Sequence, residues 1–263
     1  MNPDLIPSHW TEDRERLSER LSAPPRLLVA CDFDGTLAPL APRPEDVRLP
    51  EETCAVLRQL TTEAGVHLAI ISGRALADVE GRVPVAVDCF AGTHGLELAG
   101  HGLDGDRAQA ATLQPRLAAI ATALERRLGG IPGLLVENKR LALAVHYRRV
   151  DPADWERIIR AVTEVAAVDG AFRLQPGHLV VEILPDLAWD KGEALKRIAG
   201  CLGIPRSAVL YLGDDATDEA AFRAIPNGIS VSIGPSRPSA AHWMARDPDD
   251  VRQLLAWLAD QRC

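Results

Sequence analysis

At 263 residues the chain has material for one large domain or two modest ones, each with its own core. A composition of 47% hydrophobic and 25% charged residues excludes a disordered chain. The formal charge of −8 offers no basic face to a polyanion, which excludes broad binding to nucleic acid or anionic membranes.

Five scattered cysteines (31, 54, 89, 201 and 263) include no Cys-x-x-Cys pair and read as free thiols of a reducing compartment. The N-terminal stretch, with Asp4, Glu12, Asp13 and Arg14, lacks the apolar centre of a signal peptide, and no apolar run approaches a membrane span. The expectation is a cytoplasmic protein without membrane or nucleic-acid partners, monomeric, with a dimer left open.

In chain order, residues 11–22 read as a charged helix with Thr11 as its cap, ended by Ala23-Pro24-Pro25, so that 1–25 form a helical arm. Leu27 to Cys31 is a short buried strand running into Asp32-Phe33-Asp34-Gly35-Thr36-Leu37. Two carboxylates at one strand end repel each other, and a cation relieves that repulsion. Pro39, Pro42, Pro44 and Pro50 impose an extended loop. A helix from Glu51 to about Glu63 carries Cys54, Leu57 and Leu60 on one face. Val66 to Ile71 is a second buried strand ending in Ser72-Gly73-Arg74; a helix follows from Ala75, and Val85 to Phe90 is a third strand. This alternation is the grammar of a parallel, doubly wound α/β sheet, Rossmann-like in plan.

The grammar then changes. Gly100, Gly102 and Gly105 read as a hinge, and Leu113, Leu117, Ile120, Leu124 and Leu128 recur at helical spacing. Two strands near 134–139 and 141–148, a helix through Trp155 and Val162, and strands near 171–174 and 178–184 suggest an antiparallel sheet with two helices on one face. Alternation puts Leu143, Val145 and Tyr147 on one face and leaves Glu137, Lys139, His146, Arg148 and Glu182 for the other. From Trp189 the first grammar returns: Asp190-Lys191-Gly192 opens a helix, and Val209 to Leu212 is a strand ending in Gly213-Asp214-Asp215-Ala216-Thr217-Asp218-Glu219. A strand near 228–233 and a helix from about Pro248 to Leu258 close the chain. The expected organisation is a core of 26–102 and 186–263, with an α+β cap of 103–185 inserted in it.

Asp32/Asp34, Ser72-Gly73, Lys191 and Asp214/Asp215/Asp218 call for one explanation. Carboxylates suit Mg²⁺, a hard cation, and no His/Cys cluster offers a competing zinc site. A serine hydroxyl, the N–H groups at Gly73 and a lysine suit phosphate oxygens. The chemistry expected is attack by Asp32 on phosphorus, acid–base work by Asp34, charge compensation by Lys191, metal binding by Asp32, Asp34 and Asp214, and orientation of those ligands by Asp215 and Asp218.

These motifs, in this order, resemble those of the haloacid dehalogenase-like phosphatases. Ser72-Gly73-Arg74, His94-Gly95-Leu96-Glu97, Glu137-Asn138-Lys139, His146-Tyr147-Arg148, the run from Pro176 to Glu182 and Gly213 to Glu219 more narrowly resemble the trehalose-6-phosphate phosphatases. The resemblance implies Mg²⁺-dependent hydrolysis of trehalose 6-phosphate, with Glu137, Lys139, His146, Arg148 and Glu182 on the disaccharide hydroxyls and Arg74 as a further substrate contact. His178 departs from the family pattern and is left out of the site. Kept open are a phosphatase of sucrose 6-phosphate or mannosyl-3-phosphoglycerate, a phosphosugar mutase, and a non-catalytic sugar-phosphate sensor.

Overall fold

The computed structural model describes residues 6–262 apart from 104, 107 and 178, so His178 and Cys263 lie outside the described residues. In chain order the elements are β1 (Ser8–His9), α1 (Arg14–Ser22), β2 (Leu27–Cys31), α2 (Glu51–Thr62), β3 (Val66–Ile71), α3 (Leu76–Arg82), β4 (Cys89–Gly92), β5 (Glu97–Ala99), β6 (Gly105–Asp106), α4 (Ala108–Ala111), α5 (Gln114–Leu128), β7 (Leu135–Asn138), β8 (Leu143–His146), α6 (Pro152–Ala167), β9 (Phe172–Gly177), β10 (Val180–Pro185), α7 (Lys191–Cys201), β11 (Val209–Gly213), α8 (Asp218–Ala224), β12 (Ile229–Ile233), β13 (Trp243–Ala245) and α9 (Pro248–Arg262). The chain divides into two compact units, one running to Gly105 and resuming at Trp189, the other Asp106–Ala188.

The first unit is built on a sheet of order β1-β13-β12-β11-β2-β3-β4-β5-β6. Pairing is parallel from β1 through β4, and β5 runs antiparallel to β4. Every residue of β2 is buried because helices cover both faces. Leu27, Val29 and Cys31 pack with Leu17, Leu21, Leu57, Leu60, Leu254 and Leu258 on one side. Leu28 and Ala30 pack with Leu195, Ile198 and Phe222 on the other. Each buried leucine contributes about 1.5–3 kcal/mol, which is why an apolar run without alternation forms a strand here. From β2 the order proceeds through β3 to β4 on one side and through β11 to β12 on the other. That reversal marks the point where open α/β sheets bind ligands, at the carboxyl ends of the strands.

Four details differ from the sequence reading. The segment expected as a helical arm belongs to this unit: β1 pairs with β13, and Trp10, Leu17 and Leu21 are buried. His9, not Thr11, caps its first turn, accepting from the Thr11 N–H. The third strand starts at Cys89 because Asp88 takes the Leu68 N–H with its side chain, 2.9 Å, leaving Val85 and Val87 packed but unpaired in the ladder. Gly100 and Gly102 form the turn that ends the β4–β5 hairpin, Leu103 N donating to Gly100 O at 2.9 Å.

The second unit is an antiparallel sheet of order β7-β8-β10-β9. Leu117 and Leu124 of α5 and Ile158 and Val162 of α6 pack on Leu143, Val145 and Ile183. Residues paired across an antiparallel ladder share a face. Glu137 pairs with Ala144 and Ala144 with Glu182, while His146 pairs with both Leu135 and Val180. The register therefore sets Glu137, His146 and Glu182 on the face away from the helices. Among the described residues no helix is long and apolar enough to cross a membrane.

Candidate active site

Asp32 and Asp34 follow β2, Ser72 follows β3 and Asp214 follows β11, so all leave the carboxyl edge of three neighbouring parallel strands. Asp32 N still donates to Leu212 O at 2.9 Å before the chain turns at Gly35, whose φ is +78°. A Cβ at Gly35 would stand 2.2 Å from Asp214 Oδ2, so only glycine lets this loop lie against that carboxylate. Beside it, buried Thr36 donates its hydroxyl to Asp214 Oδ1 at 3.2 Å. Lys191 opens α7, whose cap residue Asp190 accepts from Glu193 N at 2.9 Å.

Lys191 Nζ lies 2.9 Å from Asp32 Oδ1 and 2.8 Å from Asp218 Oδ1. Asp218 is fully buried and also accepts from Tyr211 Oη at 2.6 Å and from Asp215 N at 3.0 Å. One oxygen from each of Asp32, Asp214 and Asp218 falls within 4.8 Å of the others. Asp218, expected to act on the ligands from outside, thus has an oxygen in the group itself. Asp215 is exposed and reaches the cluster through its backbone N–H.

Three carboxylates face one ammonium. Burial pushes Asp32 well above the ordinary carboxylate range; Lys191 opposes the shift and Asp218, Asp214 and Asp34 add to it. Burial, then the Asp218 charge, pushes Asp214 up to about 6. For Lys191, burial works against the charge, but Asp218 and Asp32 outweigh it and hold the ammonium protonated. The excess negative charge, carried entirely on hard oxygen donors, fits a divalent cation of the Mg²⁺ type. Gly35 leaves Asp214 room to serve it.

Asp34 is not in that group. Its carboxylate meets a fork from Arg74, Nε to Oδ2 and Nη2 to Oδ1, both 2.7 Å. Arg74 also donates to Asp78 Oδ2 and Pro44 O, each 2.7 Å, and is 8% exposed. Four of its five N–H groups are thereby given to protein acceptors. The expected substrate contact of Arg74 is left with one N–H, the others being held by the half-buried Asp34 and Asp78 and by Pro44 O.

Ser72 is fully buried, its Oγ accepting from Arg74 N at 3.1 Å, which leaves the hydroxyl hydrogen to donate. Gly73 lies against the His94 ring, where a Cβ would come within 2.8 Å of Cε1. His94 itself holds Ser72 O through its N–H, 2.9 Å. Glu97 Oε2 accepts from Leu76 N at 3.0 Å and Thr93 Oγ1 at 2.6 Å, fixing the start of α3. Trp189 donates its indole N–H to Gly95 O at 2.8 Å and packs on the core.

In the second unit the polar face is linked in pairs. Glu137 Oε2 and His146 Nε2 are 2.8 Å apart, and Lys139 Nζ donates to Glu182 Oε1 at 2.6 Å. Arg148 follows β8, partly buried. The row is longer than expected: Gln175 pairs with Glu182 in the ladder, and Arg173 donates to Gln175 Oε1 at 2.9 Å. Extending the alternation through β9 would have found both. Tyr211 was also missed; a single phenol in a fully buried strand is its signal, since a buried O–H needs an acceptor. Arg237, which donates to Asp214 O, has no sequence signal.

A family model described as trehalose-phosphatase matches residues 30–249. The chain is 39% identical over 248 residues to the trehalose-phosphate phosphatase of Mycobacterium marinum, covering 90% of this chain and 62% of that protein. It thus spans less than two thirds of that relative's length. The structure of the C. albicans trehalose-6-phosphate phosphatase C-terminal domain superposes with a TM-score of 0.82 at 24% identity, covering 99% of each chain. A haloacid dehalogenase-like hydrolase from Bacteroides thetaiotaomicron superposes at 0.61 with 15% identity, over 88% of this chain and 98% of that one, a likeness of fold alone. With the family model running unbroken through every acid of the cluster, the chain belongs to the trehalose-phosphatase family.

Proposed function

We propose that the protein hydrolyses trehalose 6-phosphate to trehalose and phosphate, using Mg²⁺ and an aspartyl-phosphate on Asp32. The observation that carries this reading is the group formed about Lys191 by buried Asp32 and Asp218 and half-buried Asp214. Desolvated carboxylates with one counter-charge are costly to keep unless they serve chemistry or a cation.

Ser72 Oγ–H, the N–H groups around Gly73 and the Lys191 ammonium bind the phosphoryl oxygens. Asp32 attacks phosphorus in line and the sugar oxygen leaves with a proton from Asp34. Asp34 then takes a proton from the water that attacks the same phosphorus, releasing phosphate and restoring Asp32. The Arg74 fork holds both Asp34 oxygens, so passing a proton to the sugar oxygen or taking one from water requires the fork to open. Asp32, Asp214 and the backbone oxygen of Asp34 would hold Mg²⁺, which supplies positive charge to the transferring phosphoryl group. Tyr211 and Lys191 position Asp218, and Asp215 fixes its second oxygen.

Glu137, Lys139, His146, Arg148 and Glu182 take the sugar hydroxyls, a mixture of donors and acceptors suited to a polyol. The free thiols of Cys31, Cys54, Cys89 and Cys201 support a cytoplasmic setting. Phosphate release from trehalose 6-phosphate, glucose 6-phosphate and sucrose 6-phosphate, with and without Mg²⁺, tests the reading. A kcat/KM highest for trehalose 6-phosphate and lost with EDTA is expected; preference for another ester, or turnover indifferent to chelation, contradicts it.

A further inference from the structure

The reading that no histidine cluster competes for metal does not survive folding. Among the described residues, His67, Asp88 and His101 bring one ligand atom each to within 4.8 Å of one another. They come from the second residue of β3, the residue before β4 and the turn after β5. His67 lies five residues before Ser72 along or just past β3, about 17 Å from the phosphoryl end of the strand, so phosphoryl transfer makes no use of it.

His67 Nδ1 is 3.0 Å from Asp88 Oδ1, and His101 Nε2 is 3.3 Å from the same oxygen. Two ligands of a tetrahedral ion with bonds of about 2.05 Å stand about 3.3 Å apart. Both nitrogens thus stand near ligand spacing from the Asp88 oxygen, and they lie within 4.8 Å of each other. Asp88 Oδ2 accepts from Leu68 N at 2.9 Å, the kind of outer bond that fixes a ligating carboxylate. The turn that carries His101 reaches Asp88 only because residue 100 is glycine: a Cβ there would meet Asp88 O at 2.1 Å. The His101 side chain is 52% exposed, which leaves water access for a remaining coordination position.

We propose that His67, Asp88 and His101 form a second divalent-metal site, remote from the acid cluster, that takes a first-row ion of the Zn²⁺ class. Imidazole nitrogen with one carboxylate favours such ions over Mg²⁺. Arg26 is its built-in competitor. Arg26 Nη2 lies 2.9 Å from His67 Nε2, so that nitrogen accepts and the ring proton sits on Nδ1. Loading moves that proton to Nε2 and displaces exposed Arg26 to solvent; the His101 proton moves likewise to Nδ1. The ion then joins the head of β3 to the β4–β5 hairpin.

The test is competition of the full chain with a chromophoric chelator for Zn²⁺, in an Asp214→Asn background that weakens binding at the acid cluster. One tight Zn²⁺ per chain is expected. His101→Ala lowers that affinity by more than about a hundredfold, beyond the loss of an outer partner. Arg26→Ala raises it by about two- to tenfold, the worth of one surface hydrogen bond, a gain that misfolding cannot imitate. No retained Zn²⁺, or affinity unmoved by either substitution, would reduce the cluster to a hydrogen-bonded latch and overturn the proposal.

Discussion

Replacing Asp214 by asparagine should stabilise the metal-free protein and destroy its response to Mg²⁺. Burial and the neighbouring Asp218 raise the Asp214 carboxyl from its ordinary 3.8 to about 6, so the folded state binds more protons than the unfolded state between those values. Stability from this group therefore falls as pH rises through that window and stays lost above it. The interval corresponds to about 3 kcal/mol at pH 7.5 and about half as much at pH 5. Asp214 keeps some solvent contact, and screening trims the larger figure to about 2 kcal/mol. An asparagine, never charged, escapes the penalty while keeping an oxygen for the Thr36 hydroxyl. Thermal melts in EDTA should show the Asp214→Asn variant ahead of wild type by about 4–8 °C at pH 7.5, with the gap roughly halved at pH 5. Mg²⁺ at a hundred times its dissociation constant adds about 2.7 kcal/mol to wild type alone and reverses the order. If the variant melts no higher than wild type in EDTA at pH 7.5, the excess-charge account of the cluster is wrong.

Lys191→Met leaves the buried carboxylates without their ammonium; it should abolish turnover and cost about 3–5 kcal/mol in urea unfolding, part of it recovered in Mg²⁺. Gly35→Ala drives a methyl into Asp214 at a φ of +78°, so isothermal titration should lose the Mg²⁺ signal while the far-ultraviolet spectrum holds. Arg74→Lys breaks the fork on Asp34 without removing the charge; kcat should fall about tenfold or more, whereas KM should stay within about twofold. Glu182→Gln removes the charge facing the Lys139 ammonium and should raise KM for the sugar phosphate with little effect on hydrolysis of a small aryl phosphate, as steady-state kinetics on both substrates would reveal.

The parallel core was legible because its strands are buried on both faces and so appear as short unbroken apolar runs, as at Leu27–Cys31 and 209–212. The antiparallel unit was legible through alternation, and the ladder register bears out the shared face of Glu137, His146 and Glu182. Strands of two or three residues, β1, β5 and β13, were not: a period of two needs more residues to declare itself. The charges of the first twenty-two residues hid the three side chains, Trp10, Leu17 and Leu21, that tie that segment into the core. At the site, acids at strand ends were readable, but partner choice was not. That Arg74 grips Asp34, or that Asp218 shares an ammonium with Asp32, depends on side-chain directions that spacing does not encode. The His67–Asp88–His101 group was invisible for the same reason, its members lying on three segments joined by sheet pairing.

The most direct test of the central claim is reductive trapping during turnover of trehalose 6-phosphate. Borohydride converts an aspartyl-phosphate to homoserine, and peptide mapping locates the change. Homoserine at position 32, absent without substrate or in an Asp32→Asn chain, is the result the account predicts. Active turnover with no conversion at 32, or conversion at 34, 214 or 218, would contradict it.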